Sequence, residues 1–225
     1  MNFADKCSCN IQSGRTAGFA TMTCSRTLVL QNSCSVPLQP AALELLTALQ
    51  PVLARWGRWY VFGAQAVVVY GVPRLSADVD ITLALEPDAP ERFAGEMQAG
   101  GFALRVADPE FVRRTRVMPF VHSATGMPLD IVLAGSGLED EFLDRAVMTD
   151  LGTITVPVID PADLLIAKLL AGRPKDVEDA RALWHLHGGE LDAIRVHRML
   201  HLLEEALSES DLVSTFEALV QRPSR

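Results

Sequence analysis

The sequence predicts an α+β fold: a mixed sheet with flanking helices, followed by a C-terminal helical part. Two observations predict it. Up to about residue 158, short runs of β-branched and apolar residues alternate with segments of helical period, the pattern of a sheet layered with helices. Beyond that point every segment carries the helical period to the end of the chain.

In chain order, residues 40 to 56 place Leu43, Leu46, Leu49 and Leu53 at helical spacing, an amphipathic helix bent at Pro51. "WYVFG" is a strand closed by Gly63, and "AQAVVVYG" a helix ending at Gly71. "DVDITLAL" is a strand, residues 89 to 99 a helix ended by Gly100 and Gly101, and "FALRVA" and "TRVMPFVHS" two strands. "PLDIVLAG" is a strand entered from the "TGMP" turn, and residues 138 to 147 form a helix behind a "GSG" turn. "GTITVPVI" reads as an edge strand because it holds Pro157. Asp160 is placed as an N-cap before Pro161, with Asp163 near the positive end of the helix dipole. Helices follow over 161 to 171, 175 to 187, 190 to 207 and 210 to 220, broken at Gly172 and at 187 to 189.

Residues 1 to 38 have little periodicity and hold all four cysteines, Cys7, Cys9, Cys24 and Cys34, at spacings that fit no common zinc site. They read as a disordered extension, residues 39 to 158 as the core and 159 to 225 as the helical part. No apolar run approaches the roughly 18 to 20 residues that cross a bilayer, and no secretory signal is apparent, so a cytoplasmic, membrane-free protein is expected. A net charge of −8 argues against broad adhesion to nucleic acid. Arg113, Arg114 and Arg116 form a local basic run that either meets phosphates or stays solvated.

Chemistry concentrates in "VFGAQAVVVYGVPRLSADVDITL", residues 61 to 83. A strand's side chains repeat every second residue, so Asp78 and Asp80 share one face with their carboxylates close together. A hard dication such as Mg2+ between them relieves their repulsion and at the same time binds phosphate oxygens; the plain alternative is a solvated polar face. Gly63 stands where a strand turns into a helix, a place where free N–H groups meet an anion. Arg74 and Ser76 lie in the turn before the pair, Arg74 as a phosphate contact or an ordinary ion pair. Asp130 interrupts an apolar strand, as a third metal-site carboxylate or as a strand-end charge. Lys168 lies among leucines, either snorkelling from the core or, supported by Asp176 or Asp179, clamping triphosphate charge beside Lys175.

Taken together, "GAQAVVVYGVPRLSADVDITL", "LDIVL" and "AKLLAGRPKDVEDARAL" resemble the AbiEii-type nucleotidyltransferases, a minimal branch of the DNA polymerase beta-like superfamily, over about residues 58 to 185. The resemblance implies a polymerase beta-like mixed sheet and a magnesium-dependent enzyme that moves a nucleoside monophosphate from an NTP to a hydroxyl. By the same resemblance Asp78, Asp80 and Asp130 hold metal, and Lys168 neutralises the triphosphate. Gly63, Ala64, Arg74, Ser76, Lys175, Asp176 and Asp179 serve the substrate phosphates; Ala64 departs from the Gly or Ser usual in the family. It also implies the toxin half of a bacterial toxin-antitoxin or phage-defence pair, with RNA such as tRNA, or protein, as acceptor and a cognate antitoxin as partner. Two rival readings are an aminoglycoside-type antibiotic nucleotidyltransferase, whose cationic acceptor suits an acidic chain, and a non-catalytic member that binds nucleotide or a partner. His197 and His201, four apart, lack the glutamate of a zinc-protease motif and read as surface residues, and His185 and His187 do not share a helix face.

Overall fold

The computed structural model describes residues 38–135, 137–208 and 211–221. Its elements run α1 (Pro40–Leu53), β1 (Trp59–Phe62), α2 (Gly63–Val69), β2 (Val79–Leu83), α3 (Pro90–Ala99), β3 (Phe102–Leu104), α4 (Pro109–Thr115), β4 (Val117–His122) and β5 (Pro128–Leu133). They continue with α5 (Leu138–Arg145), β6 (Val147–Asp150), β7 (Thr155–Val158), α6 (Pro161–Ala171), α7 (Pro174–His187), α8 (Ala193–Leu207) and α9 (Leu212–Val220). The chain has the expected α+β architecture: a seven-stranded sheet ordered β3-β4-β5-β2-β1-β7-β6, then helices to the end of the described residues. The extension read in residues 1 to 38, with its four cysteines, lies but for Leu38 outside the described residues.

The sheet is mixed. β1 pairs antiparallel with β2, β2 parallel with β5, and β5 antiparallel with β4, which brings the C-terminal half of β1 and the starts of β2 and β5 to one edge of the layer. Apolar side chains on both sides make a single core: Val79, Ile81 and Leu83 of β2, Leu129 and Ile131 of β5, and Leu45, Leu46, Leu49 and Leu53 of α1 are all fully or almost fully buried. α6 belongs to the same core through Leu164, Leu165, Ile166 and Leu169. Each such side chain withdrawn from water contributes about 1.5 to 3 kcal/mol, and the shared cluster fixes α6 against the sheet.

Several expectations change. The stretch between "FALRVA" and "TRVMPFVHS" folds as α4: Asp108 Oδ1 accepts the Glu110 N–H at 2.9 Å and Pro109 opens the helix, so the first strand stops at Leu104. The helix expected to reach residue 147 ends at Arg145, because Val147–Asp150 pairs with β7 in a hairpin whose turn is held by Gly152 N–H to Asp150 Oδ1, 2.8 Å. β6 therefore takes the edge, and β7, read as the edge strand from its Pro157, lies one place inside. Pro157 is accommodated because β7 meets β1 at the next residue, in the register Val61↔Val158, with Ile159 N–H donating to Val61 O at 2.9 Å. α1 ends at Leu53 rather than residue 56, and α8 begins at Ala193 behind Asp192, which accepts the Arg195 N–H.

Candidate active site

The β2–β5 register sets Asp80 directly beside Asp130, and cross-strand partners in a sheet project to the same face. Asp78, in the bend just before the strand, lines the same cavity and adds its negative charge beside Asp80. All three carboxylates are half-buried. The loop before β2 is fastened at Asp78: the Ser76 hydroxyl lies 2.9 Å from Asp78 Oδ1 and 3.0 Å from its carbonyl oxygen, and Gln65 Nε2 of α2 donates to the same carbonyl at 2.9 Å. Phe62 faces Asp80 across β1–β2, and the chain then turns at Gly63, φ +67°, into α2. A Cβ on Gly63 would overlap the Asp80 carboxylate, at 2.9 Å from its Cγ and 3.0 Å from its Cβ. The strand-to-helix turn and the carboxylate thus fit together only with glycine at 63.

Burial raises the Asp80 carboxyl to about 6, helped by the negative charges of Asp78 and Asp130, against the opposing pull of Lys168 and Arg173. The rise is therefore mainly the cost of burying a charge, which the nearby cations offset only in part. Those cations come from α6 and α7. Lys168 is buried and its Nζ lies 2.9 Å from Asp176 Oδ1 and 2.8 Å from Asp179 Oδ2. Arg173 completes the other oxygen of Asp176, and Arg74 pairs with Asp179. Burial pushes the Asp176 carboxyl up, but its hydrogen bonds from Arg173 and Lys168 outweigh that and hold it below the ordinary value. Lys175 is exposed and makes no ion pair among the described residues.

Between these two sets opens a cavity of about 470 Å³, lined by Gly63, Ala64, Arg74, Ser76, Asp78, Asp80, Asp130, Lys168, Lys175 and Asp176. Of the residues singled out in the sequence, Asp179 is not among those lining it and serves as partner to Lys168 and Arg74. Ser76 acts on Asp78 rather than standing free, and Arg74 is an ion pair at the cavity wall. Three neighbours have no role assigned from the sequence: Gln65, buried and fastened to Asp78; Arg173, on Asp176; and Arg105, whose guanidinium donates to Asp130 Oδ1. Only Arg173 had a local signal, standing three residues before Asp176 at a helix start.

The donor set is all carboxylate oxygen, the chemistry a hard divalent cation takes. Asp78 and Asp80 fit such an ion by lining one cavity and by the raised Asp80 carboxyl, which a nearby dication would return to its charged form. As the side chains lie, with Asp130 drawn to Arg105, no group of three or more metal-ligating side chains is gathered among the described residues.

Elsewhere, Arg113 pairs with Glu110 at the surface, and Arg116 donates to the carbonyls of Leu133, at 3.1 Å, and Ala134, so it braces the end of β5. His197 is half-buried beside Glu217, and His201 is exposed beside Glu205. His187 Nε2 lies 2.7 Å from Tyr70 O. A second cavity, about 550 Å³ between α8 and α9, is lined by Ile194, Phe216 and Val220 with His197, Arg198 and Glu217, and gathers no paired carboxylates. No described helix is long and apolar enough to cross a membrane.

No family model and no curated protein matches the chain. Two solved structures similar to it are JHP933 from Helicobacter pylori, 14% identical with a TM-score of 0.44, covering 81% of this chain and 90% of that one, and a second neighbour. The second is an antigenic nucleotidyltransferase-like protein from Paracoccidioides brasiliensis, 13% identical with a TM-score of 0.48, covering 79% of this chain and 92% of that one. With both TM-scores below 0.5, these are distant neighbours, and the functional reading rests on the site itself.

Proposed function

We propose that the chain is a magnesium-dependent nucleotidyltransferase that transfers a nucleoside monophosphate from an NTP to a hydroxyl acceptor. The observation that carries this reading is the register of Asp80 on Asp130, with Asp78 beside them, at a cavity whose opposite wall is cationic. Asp78 and Asp80 would hold Mg2+, which when bound supplies charge neutralisation for the phosphate oxygens. Lys168 and Lys175 face the triphosphate, and Gly63 and Ala64 leave room for it at the start of α2. The Lys168 ammonium is oriented by Asp176 and Asp179, so its direction is fixed before substrate arrives.

Asp130 is the base of this reading. The acceptor hydroxyl gives its proton to an Asp130 carboxylate oxygen while its oxygen forms the new bond to the α-phosphorus. The bond from that phosphorus to the bridging oxygen breaks, and pyrophosphate leaves with the electron pair. The biological setting we propose is the toxin of a bacterial toxin-antitoxin or phage-defence pair, in the cytoplasm, with RNA such as tRNA, or protein, as acceptor and a cognate antitoxin as partner.

The test is incubation with Mg2+, each labelled NTP in turn and total bacterial RNA, beside Asp80→Asn. Label on RNA with the wild type alone is the expected result. Label on an aminoglycoside instead would move the reading to an antibiotic-modifying enzyme, and NTP binding without pyrophosphate release to a non-catalytic binding member.

A further inference from the structure

Arg105 stands in the first position after β3, and its N–H donates to Pro119 O at 2.8 Å. Pro119 faces Asp130 in the β4–β5 register, and Asp130 faces Asp80 in the β2–β5 register. One row across the sheet therefore reads Arg105, Pro119, Asp130, Asp80. Residues in such a row project to the same face, and the guanidinium crosses over Pro119 to meet Asp130 Oδ1. The pair is reachable from water, with the Arg105 side chain 39% and the Asp130 side chain 32% exposed. Among the described residues no other cation is hydrogen-bonded to the three sheet carboxylates: Arg74, Lys168 and Arg173 are all engaged by Asp176 and Asp179.

A carboxylate that already holds a guanidinium is a poor ligand for a dication, because the two positive charges would stand within a few ångströms of each other. We propose that Arg105 is a built-in cation at Asp130, supplying the positive charge that a second metal ion would supply, so that the site takes a single divalent ion on Asp78 and Asp80. This rests on the metal-dependent reading above. It deepens that reading by giving the Asp130 side of the site a fixed protein charge in place of an exchangeable ion. Asp130 then keeps one oxygen on Arg105 and offers the other to the acceptor proton.

The inference is tested by titrating the full chain with Mn2+ alone and counting bound ions from the paramagnetic signal of the free ion. Arg105→Gln keeps an N–H donor for Asp130 and removes the charge; Arg105→Lys keeps the charge. Wild type and Arg105→Lys should each bind a single ion, and Arg105→Gln a second one that disappears again when Asp130→Asn is added. Thermal melts of each variant establish that the bound-ion count is taken on folded protein. A second ion in the wild type overturns the inference, as does an Arg105→Gln variant that binds no more than the wild type. If Asp80→Asn meanwhile removes the wild-type ion, the metal site itself stands. Absence of Mn2+ binding in every variant overturns both.

Discussion

Asp80 occupies the space into which any side chain on Gly63 would grow. Gly63 lies at φ +67°, where a Cβ is strained in any surroundings, and here that Cβ would also meet the Asp80 carboxyl group head on. Gly63→Ala is therefore expected to destabilise the protein by about 2 to 3 kcal/mol and to abolish transfer by displacing Asp80. In an Asp80→Ala background the carboxyl is gone, and the penalty should fall to the backbone strain and the remaining tight contact with the Cβ of residue 80, about 1 to 2 kcal/mol. Denaturant titration of the four proteins gives the coupling directly. Additive effects would mean that the two residues do not touch in solution.

Asp80 also predicts how stability depends on pH. Its carboxyl is raised from 3.8 to about 6 in the folded chain, so between those values the native state holds a proton that the unfolded state has lost. Stability then falls as pH rises from about 4 to about 6, and at neutral pH the ionised group costs about 3 kcal/mol. Asp80→Asn should melt several degrees above the wild type at pH 7.5 without divalent ions, and at nearly the same temperature at pH 4. Added Mg2+ should close the gap at pH 7.5 by stabilising only the wild type. Equal melting temperatures at pH 7.5 without metal would show that the Asp80 carboxylate carries neither the burial cost nor the repulsion of its neighbours.

What the sequence makes legible follows from the reach of each signal. The strand period pairs Asp78 with Asp80 without any knowledge of the fold, and the Asp160-Pro161 start of α6 is local chemistry that the structure repeats, with Asp160 Oδ1 accepting the Ala162 N–H at 2.9 Å. The same signature, Asp108-Pro109, opens α4, but the flanking β-type runs hid a helix of only two turns. β6 was hidden for the opposite reason: four residues, Val147 to Asp150, hold too few side chains to display a period, and their strand identity comes from pairing with β7. Gln65 and Arg105 carried no signal because each acts on a residue brought near only by the sheet and its packing.

The two lysines of the cavity should separate cleanly. Lys168 is buried between Asp176 and Asp179, so Lys168→Met leaves two buried carboxylates with one arginine each and should cost about 3 kcal/mol, with transfer lost as well. Lys175 is exposed and unpaired among the described residues, so Lys175→Met should change stability by less than about 0.5 kcal/mol while raising the KM for NTP. Thermal melts with steady-state kinetics on both variants check this. A Lys168→Met protein as stable as the wild type would contradict the buried network.

A second buried network, away from the cavity, predicts a purely structural effect. Asp163 has no exposed surface, and it binds Arg145 through Nε at 2.8 Å and through the terminal nitrogen at 3.1 Å, and Arg195 at 2.7 Å, which joins α5, α6 and α8. Arg195 already has one buried nitrogen without a partner, so its charge depends on this carboxylate. Asp160, raised by burial and by the nearby Asp163 charge, stands 3.5 Å from Arg195 and is too distant to replace it. Asp163→Ala leaves Arg145 with Glu141 alone, at 3.2 Å, and the more deeply buried Arg195 with only the distant Asp160, and should cost about 3 kcal/mol, a fall of several degrees or more in Tm. The nucleotidyl-transfer rate per folded molecule, measured well below that Tm, should match the wild type because none of these groups lines the 470 Å³ cavity. Lost activity in protein shown to be folded would mean that α6 carries strain from this network to Lys168.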